Sequence, residues 1–152
     1  MITDMKIQKK PQLEFYPIAT DTRPTVPMAE VNVHAGFPCP VDDAYMSQPI
    51  DLNKELIRNP ASSYIVRVAG DSMIDEGIAE GDLLVVDRSI LPTEQNVTVC
   101  MVDGDFALKR IVQRDGKVLL MPGNAKYAPI EVANPSELRI FGVVVWVMKR
   151  KL

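Results

Sequence analysis

The chemistry that this sequence permits depends first on a serine in a glycine-flanked turn. Ser72 lies in the segment Val68–Gly77, directly after a predicted strand, with Gly70 and Gly77 on either side. Such a turn can project a hydroxyl away from a sheet and aim backbone N–H groups at a substrate carbonyl, as an oxyanion hole requires. Serine beside Asp and Gly is also common in ordinary turns. The spacing by itself therefore permits a nucleophile but favours a simple turn.

Lys109 is the residue that could act as a base. It lies in the predicted strand 105–112, where side-chain alternation places it on the same face as Ala107 and Ile111. Apolar surroundings disfavour the ammonium, and a base at neutral pH needs a pKa roughly 3 below the usual value of about 10.4. A stem packed on apolar neighbours with the ammonium in water is the commoner fate of a strand lysine. The pattern alone leaves both open.

Other catalytic chemistries lack their residues. His34 is the only histidine and precedes the predicted globular domain, so a histidine base, a Cys-His pair and a HExxH zinc site are all excluded from its core. Cys39 and Cys100 are too few for a zinc site; Cys100 is expected in the core and Cys39 in a loop. No glycine pattern matches a phosphate-binding or dinucleotide-binding loop. We therefore expect neither a metal nor a cofactor.

The elements that must position these residues are predicted to be mostly strands. One short helix is expected over 51–59, with Asp51 as its N-cap and Pro60 as its stop. Asp-Gly pairs at 103–104 and 115–116 predict tight hairpin turns. Seven β-rich runs are predicted as strands: 63–68, 82–87, 97–103, 105–112, 117–121, 129–132 and 138–148. Their spacing predicts a mostly β fold, a strongly bent antiparallel domain.

The first residues have a different character. From Met1 to about Val33 no segment keeps a helical or strand period for long, and four prolines, at 11, 17, 24 and 27, interrupt it. We expect residues 1–35 to form a mobile or extended arm and residues 36–152 to form the domain, with the boundary near 34–40. The arm is too short and too often interrupted to form a helix-turn-helix DNA-binding head.

Charge and hydropathy exclude further classes. The net charge is −3 and the pI about 5.2, which disfavours direct DNA binding. The most apolar run, Phe141–Met148, is far shorter than the roughly 18 to 20 residues that a membrane span needs. The lysines near the N-terminus are followed by Pro11, Glu14 and Pro17, with no apolar region typical of a signal peptide. These features predict a cytoplasmic protein without a membrane anchor.

Several blocks in a fixed order resemble one family. From about Ala35 the chain resembles the UmuD proteins, accessory subunits of an error-prone lesion-bypass polymerase, and more widely the LexA-type self-cleaving repressors. The blocks are Ala35-Gly-Phe-Pro38, Ile50-Asp-Leu-Asn53, Gly70-Asp-Ser-Met-Ile-Asp75, Gly81-Asp-Leu-Leu-Val-Val-Asp87, Val102-Asp-Gly-Asp105 running into Lys109, and Phe141-Gly-Val-Val144. They extend over about three quarters of the chain.

The resemblance implies roles for four residues. Ser72 corresponds to the family's nucleophile, Lys109 to its base, and Ala35-Gly36 to the bond that is cut. Two departures matter: UmuD proteins carry Cys-Gly at the cut, whereas Ala-Gly is typical of the repressors, and the alignment between Gly36 and Ser72 needs one inserted residue. Small residues at the cut still suit a tight cleft.

The resemblance also implies a function and partners. Because the arm lacks a recognition helix, the UmuD branch is favoured over the repressors. It implies a homodimer, cleavage promoted by the RecA filament on single-stranded DNA, and a shortened product that joins a UmuC-type Y-family polymerase in translesion synthesis. The arm should cover the domain before the cut and leave afterwards. A noncatalytic binding module and a signal-peptidase-like protease remain alternatives, and cleavage within one chain or across the dimer stays open.

Overall fold

A computed structural model describes residues 13–18, 25–29 and 46–152. In that part of the chain the fold is mostly β, with one eight-stranded antiparallel sheet in the order β1-β4-β5-β10-β6-β7-β8-β9 and a separate antiparallel pair, β2-β3. The strands are β1 (Glu14–Pro17), β2 (Thr25–Ala29), β3 (Met46–Asp51), β4 (Ser63–Arg67), β5 (Leu83–Asp87), β6 (Thr98–Val102), β7 (Asp105–Arg114), β8 (Lys117–Met121), β9 (Ile130–Glu131) and β10 (Arg139–Met148). This architecture confirms the predicted fold class.

The seven predicted strands are all present, as β4 to β10. Both Asp-Gly hairpins are also confirmed. Asp103 and Gly104 have φ of 50° and 80°, and Asp115 and Gly116 have φ of 51° and 75°. Positive φ at both central residues gives a turn whose twist matches that of the flanking strands, so these local dipeptides fix the register of β6 with β7 and of β7 with β8.

The predicted helix is confirmed but is shorter than expected. Helix α1 spans Leu52–Leu56, and the Asp51 carboxylate caps it by accepting hydrogen bonds from the backbone N–H groups of Asn53 and Lys54. It ends before Ile57, which is extended and buried, and Pro60 further on favours extended backbone at Asn59. Among the described residues, no helix is long and apolar enough to cross a membrane.

Residues of the N-terminal arm form strands that the sequence did not predict. β1 pairs antiparallel with β4 at the edge of the large sheet, and β2 pairs with β3. Each strand is only four or five residues long and contains a proline, Pro17 in β1 and Pro27 in β2, which obscures the strand period in the sequence. Proline is tolerated here because an edge strand has backbone positions that need no partner.

The core consists of two clusters on opposite faces of the sheet. Val99 and Leu108 belong to one cluster, whereas their chain neighbours Cys100 and Ala107 belong to the other. Consecutive strand residues point to opposite faces, so β6 and β7 separate the two clusters. The first cluster includes Met73, which directly follows Ser72, and it is the larger of the two.

Two register shifts distort β10, between Ile140 and Gly142 and between Val144 and Trp146. Gly142 has a φ of 148°, and a Cβ there would lie 2.7 Å from Val86 Cγ1. Only glycine permits that close approach of β10 to β5. Bulges of this kind bend a strand and increase its twist, in agreement with the bent sheet that was predicted.

A buried carboxylate closes the end of β5. Asp87 is 3% exposed and accepts hydrogen bonds from Asn59 Nδ2 and Ser62 Oγ at 3.0 Å and from Ser89 N and Oγ at 2.8 and 2.7 Å. Burial raises the pKa of Asp87, but the hydrogen bonds from Ser89, Asn59 and Ser62 together outweigh it and lower the pKa to about 2. The ionised carboxylate therefore joins the segment after α1 to the end of β5.

We expect Asp87→Asn to lower the free energy of unfolding at pH 7 by on the order of 2 kcal/mol, because the amide cannot accept all of these hydrogen bonds. Since the folded-state pKa is below the unfolded value, the contribution is present above pH 4 and disappears as pH falls towards 2. Urea unfolding of both proteins from pH 7 to pH 2 measures the difference. The exposed Glu80→Gln is the control, and a difference independent of pH would contradict this account.

Candidate active site

Ser72 lies in the connection between β4 and β5. The base of this connection is closed by two backbone hydrogen bonds, from Val68 N–H to Asp82 O and from Gly81 N–H to Val68 O, both 2.9 Å. Gly70 and Gly77 have φ of 86° and 77°, a backbone conformation that glycine adopts without strain. The segment is therefore the turn that the sequence predicts, with Ser72 half-buried within it.

A groove of about 200 Å³ runs beside Ser72. One wall is the turn itself, and the facing wall is the start of β7. The lining residues are Leu13, Val68, Ala69, Gly70, Asp71, Ser72, Met73, Phe106, Ala107, Leu108 and Tyr127. Lys109 is not part of this lining; it is the next residue on β7 after Leu108. The fold thus sets the serine turn against the strand that carries the lysine.

Two backbone N–H groups at Ser72 are available as hydrogen-bond donors. Among the described residues, no acceptor is found for the backbone N–H groups of Ser72 and Met73, whereas the N–H of Ile74 donates to Asp71 O at 3.2 Å. No hydrogen bond of the Ser72 hydroxyl is found within the same residues. Free N–H groups next to a serine hydroxyl are the donors that an oxyanion hole requires.

The loop between β8 and β9 braces the serine turn through Gly123. The N–H of Gly123 donates to Ser72 O at 2.8 Å, and Gly123 O accepts from Asp75 N–H at 2.6 Å. A Cβ at Gly123 would lie 2.4 Å from Glu76 Cγ and 3.2 Å from Met73 Cα. Glycine suits this position because an added side chain would have to displace the Glu76 side chain and would crowd the Met73 backbone.

Two polar side chains of the same loop extend the brace to Asp71. Asn124 Nδ2 donates to Asp71 O at 2.9 Å, and the Tyr127 hydroxyl donates to Asp71 Oδ1 at 2.6 Å. The hydrogen bond to Asp71 raises the pKa of Tyr127. The sequence analysis missed Gly123, Asn124 and Tyr127. Their segment has only the composition of a turn, and its contacts join residues about 50 positions apart.

Lys109 is buried, with 8% of its surface exposed. It pairs across the sheet with Thr98, whose buried hydroxyl donates to the Lys109 carbonyl at 2.8 Å. Ala107 and Ile111 pack in the second core cluster, so alternation places Lys109 on that face, as predicted. The fully snorkelled lysine, the alternative that the sequence left open, does not fit this burial.

The electrostatic surroundings of Lys109 favour its neutral form. Burial lowers its pKa, and the smaller opposing effect of Cys100 does not reverse this. Burial raises the pKa of the Cys100 thiol to about 11, so the thiol is neutral at pH 7 and supplies no negative charge. No ion pair of Lys109 is found among the described residues. A buried amine without a counter-ion is the environment that makes lysine a base.

The predicted scissile pair, Ala35 and Gly36, lies outside the described residues, as do His34 and Cys39. Their positions relative to Ser72 therefore stay predictions. By chain order the pair falls in the connection between β2 and β3.

We expect Lys109→Met to stabilise the protein at neutral pH, because it removes an ammonium that is costly to bury. The folded-state pKa is below the unfolded value of 10.5, so this cost is largest at low pH and fades as pH rises to 10.5. The stabilisation should fade over the same range. Urea unfolding in a Ser72→Ala background measures it, and the exposed Lys126→Met is the control. A destabilised variant at pH 7 would contradict the uncompensated burial.

This chain is similar in sequence to a family of peptidases and to several known proteins. The model of a family described as Peptidase S24-like matches residues 27–145. Protein SamA of Salmonella typhimurium is 40% identical over 120 residues, covering 79% of this chain and 82% of SamA. Protein MucA of Salmonella typhimurium is 34% identical over 122 residues, covering 79% and 82%. The LexA repressor of Syntrophotalea carbinolica is 38% identical over 86 residues, covering 57% of this chain and 43% of the repressor.

The family model covers most of the chain and includes both the serine turn and β7, and SamA and MucA align over most of their length. The chain therefore belongs to the peptidase S24-like family and, within it, to the UmuD family.

Proposed function

We propose that this protein is a self-cleaving regulator of the SOS DNA-damage response, in which Ser72 and Lys109 cut the Ala35–Gly36 bond. The observation that carries the proposal is the buried Lys109, which has no counter-charge within the described part of the chain and lies on the strand that forms one wall of the Ser72 groove. Family membership supports peptidase chemistry in general. The assignment of the two residues rests on their chemistry and on the UmuD resemblance.

The chemistry follows from the two side chains. Neutral Lys109 takes the proton of the Ser72 hydroxyl, and Oγ attacks the carbonyl carbon of Ala35. The developing oxyanion accepts hydrogen bonds from backbone N–H groups at the Ser72 turn. When this intermediate collapses, the C–N bond breaks and the lysine returns the proton to the amine of Gly36. Water then hydrolyses the ester between Ser72 and Ala35, with the lysine again as base.

The brace around Ser72 gives this step its geometry. A nucleophile misplaced by about 1 Å can lose roughly two orders of magnitude in rate. Gly123, Asn124 and Tyr127 fix the turn from outside, and none of their hydrogen bonds uses the Ser72 hydroxyl. The hydroxyl therefore keeps its freedom to donate its proton to a base.

We expect Ser72→Ala to remain folded and to slow formation of the 36–152 product by a factor on the order of 10³ or more, because only the nucleophilic oxygen is removed. Mass spectrometry of the full-length protein during incubation at alkaline pH measures this. Ser136→Ala, a serine in an exposed turn, is the matched control.

In the parent the rate of cleavage should rise with pH, since only neutral lysine accepts the proton, and Lys109→Ala should abolish that rise.

The alternatives give other results. A noncatalytic binding module would produce no 36–152 fragment in the parent at any pH. A protease of the signal-peptidase type would cut an added polypeptide but leave its own chain intact. A product that begins at Gly36 at the parent rate in Ser72→Ala would remove Ser72 from the mechanism.

The proposal extends to partners. We infer a homodimer whose cutting is promoted by the RecA filament on single-stranded DNA, and whose shortened form joins a UmuC-type Y-family polymerase. Similarity to SamA, MucA and the LexA repressor supports a role in the DNA-damage response, without identifying the individual partners. Exposed apolar side chains on β10, at Ile140, Val145, Trp146 and Val147, supply surface for association with a second protein chain.

We expect the cut dimer to bind the polymerase and stimulate lesion bypass at least tenfold more than the uncut Ser72→Ala dimer, because the arm that covers part of the domain is tethered before the cut and can be displaced after it. Titration of the polymerase with each dimer, followed by primer extension across a lesion, measures both effects. Ser136→Ala, which should cut normally, controls for substitution alone. Equal affinity and equal bypass would remove the regulatory role while leaving the cleavage chemistry untouched.

A further inference from the structure

The cut lies between strands that are already paired. β2 precedes residues 35–36 in the chain and β3 follows them, and these strands pair from Thr25 with Asp51 to Ala29 with Met46. β1 also precedes the cut, and it pairs with β4, from Glu14 with Arg67 to Pro17 with Tyr64. Breaking one peptide bond between β2 and β3 severs the chain but none of these hydrogen bonds.

Side chains add to the hold of β1. Leu13 and Phe15 pack against the first core cluster. The Phe15 ring lies 5.7 Å from the Tyr64 ring and 4.6 Å from the Phe106 ring, and Phe106 lies 4.9 Å from Phe141 in an edge arrangement. Aromatic pairs at these distances stabilise beyond the area they bury. Phe15 is thus the anchor of the arm.

The seat of β1 has two parts. One is the outer edge of β4, whose backbone groups pair with an extended segment; the other is an aromatic floor of Tyr64, Phe106 and Phe141. We call this combination the acceptor edge. It favours a strand with apolar side chains at alternate positions, as Leu13 and Phe15 are, because alternate residues face the same side.

We propose that the acceptor edge keeps the severed arm, residues 1–35, bound after cleavage, and that the arm leaves only when another extended apolar segment displaces it. This inference rests on the cut assigned under the proposed function. Strand addition to a sheet edge is a known mode of peptide recognition, with backbone hydrogen bonds for affinity and side-chain pockets for specificity. Cleavage then makes the edge available for exchange instead of emptying it.

The placement of Leu13 links this edge to the Ser72 groove. Leu13 and Phe106 both line that groove, and Phe106 is also part of the aromatic floor. A bound arm therefore continues to cover one end of the groove after the cut. A segment that replaces β1 would change the cover of the groove at the same time.

The test makes the cut independent of Ser72. A full-length Ser72→Ala protein receives the recognition sequence of an added, sequence-specific protease in place of residues around 35–36. After cutting, size-exclusion chromatography and native mass spectrometry at micromolar concentration show whether the two fragments stay together. We expect one peak containing both fragments, separated by denaturant. Two peaks from the native nicked protein would overturn the proposal, whatever the outcome of the self-cleavage experiments.

Substitutions in β1 test which of its side chains retain the severed arm. Phe15→Ala should weaken retention of the arm at least tenfold, whereas Tyr16→Ala, which leaves the aromatic floor intact but removes the exposed ring over which Arg67 lies at 5.9 Å, should change it much less. Equal losses would overturn the role of the aromatic floor. A synthetic peptide with the sequence of residues 11–18 should displace β1 of the nicked protein from the acceptor edge while β2 stays paired with β3, and the same peptide with Phe15→Ala should need at least tenfold more. Failure of the parent peptide to bind the nicked protein at any concentration would contradict exchange at this edge.

Discussion

The burial of Lys109, with no negative partner among the residues that the structure describes, is the constraint on which the candidate site depends. An ammonium in such a place loses hydration, and no ion pair with a described residue compensates for the loss, since Cys100 is a neutral thiol at pH 7. The sheet tolerates this because β6 and β8 flank β7 on both sides and fix its backbone. The lysine therefore reaches its place through the pairing of its strand, and the cost of its burial appears as a lowered pKa.

The serine turn is held rigid although it is neither a helix nor a strand. Its glycines allow positive φ, and the loop after β8 supplies the hydrogen bonds that a helix or strand would otherwise provide. Gly123 matters most because its missing side chain lets two backbones meet closely. A rigid turn beside a strand that holds a buried lysine of lowered pKa is a preorganised arrangement, in which little has to move before reaction.

The N-terminal arm is joined to this arrangement by ordinary sheet physics. An uncovered edge of β4 would present unpaired N–H and C=O groups, and β1 covers it. Phe15 then adds a ring to the aromatic contacts that connect β7 with β10. Phe106 thus contacts β1 and also lines the groove, so a strand that covers the edge of β4 also covers one end of the groove.

Local chemistry in the sequence determined much of this protein. Alternation predicted β4 to β10 and the face of Lys109, the Asp-Gly pairs predicted two hairpins, and Asp51 predicted the start of α1, because each signal acts within a few residues. The family resemblance supplied Ser72 as the nucleophile. Tertiary structure alone decided the order β4-β5-β10-β6, the brace from Gly123 and Tyr127, and the seat of β1. These features join residues far apart in the chain, and periodicity carries no information about which distant edge or loop completes a strand or a turn.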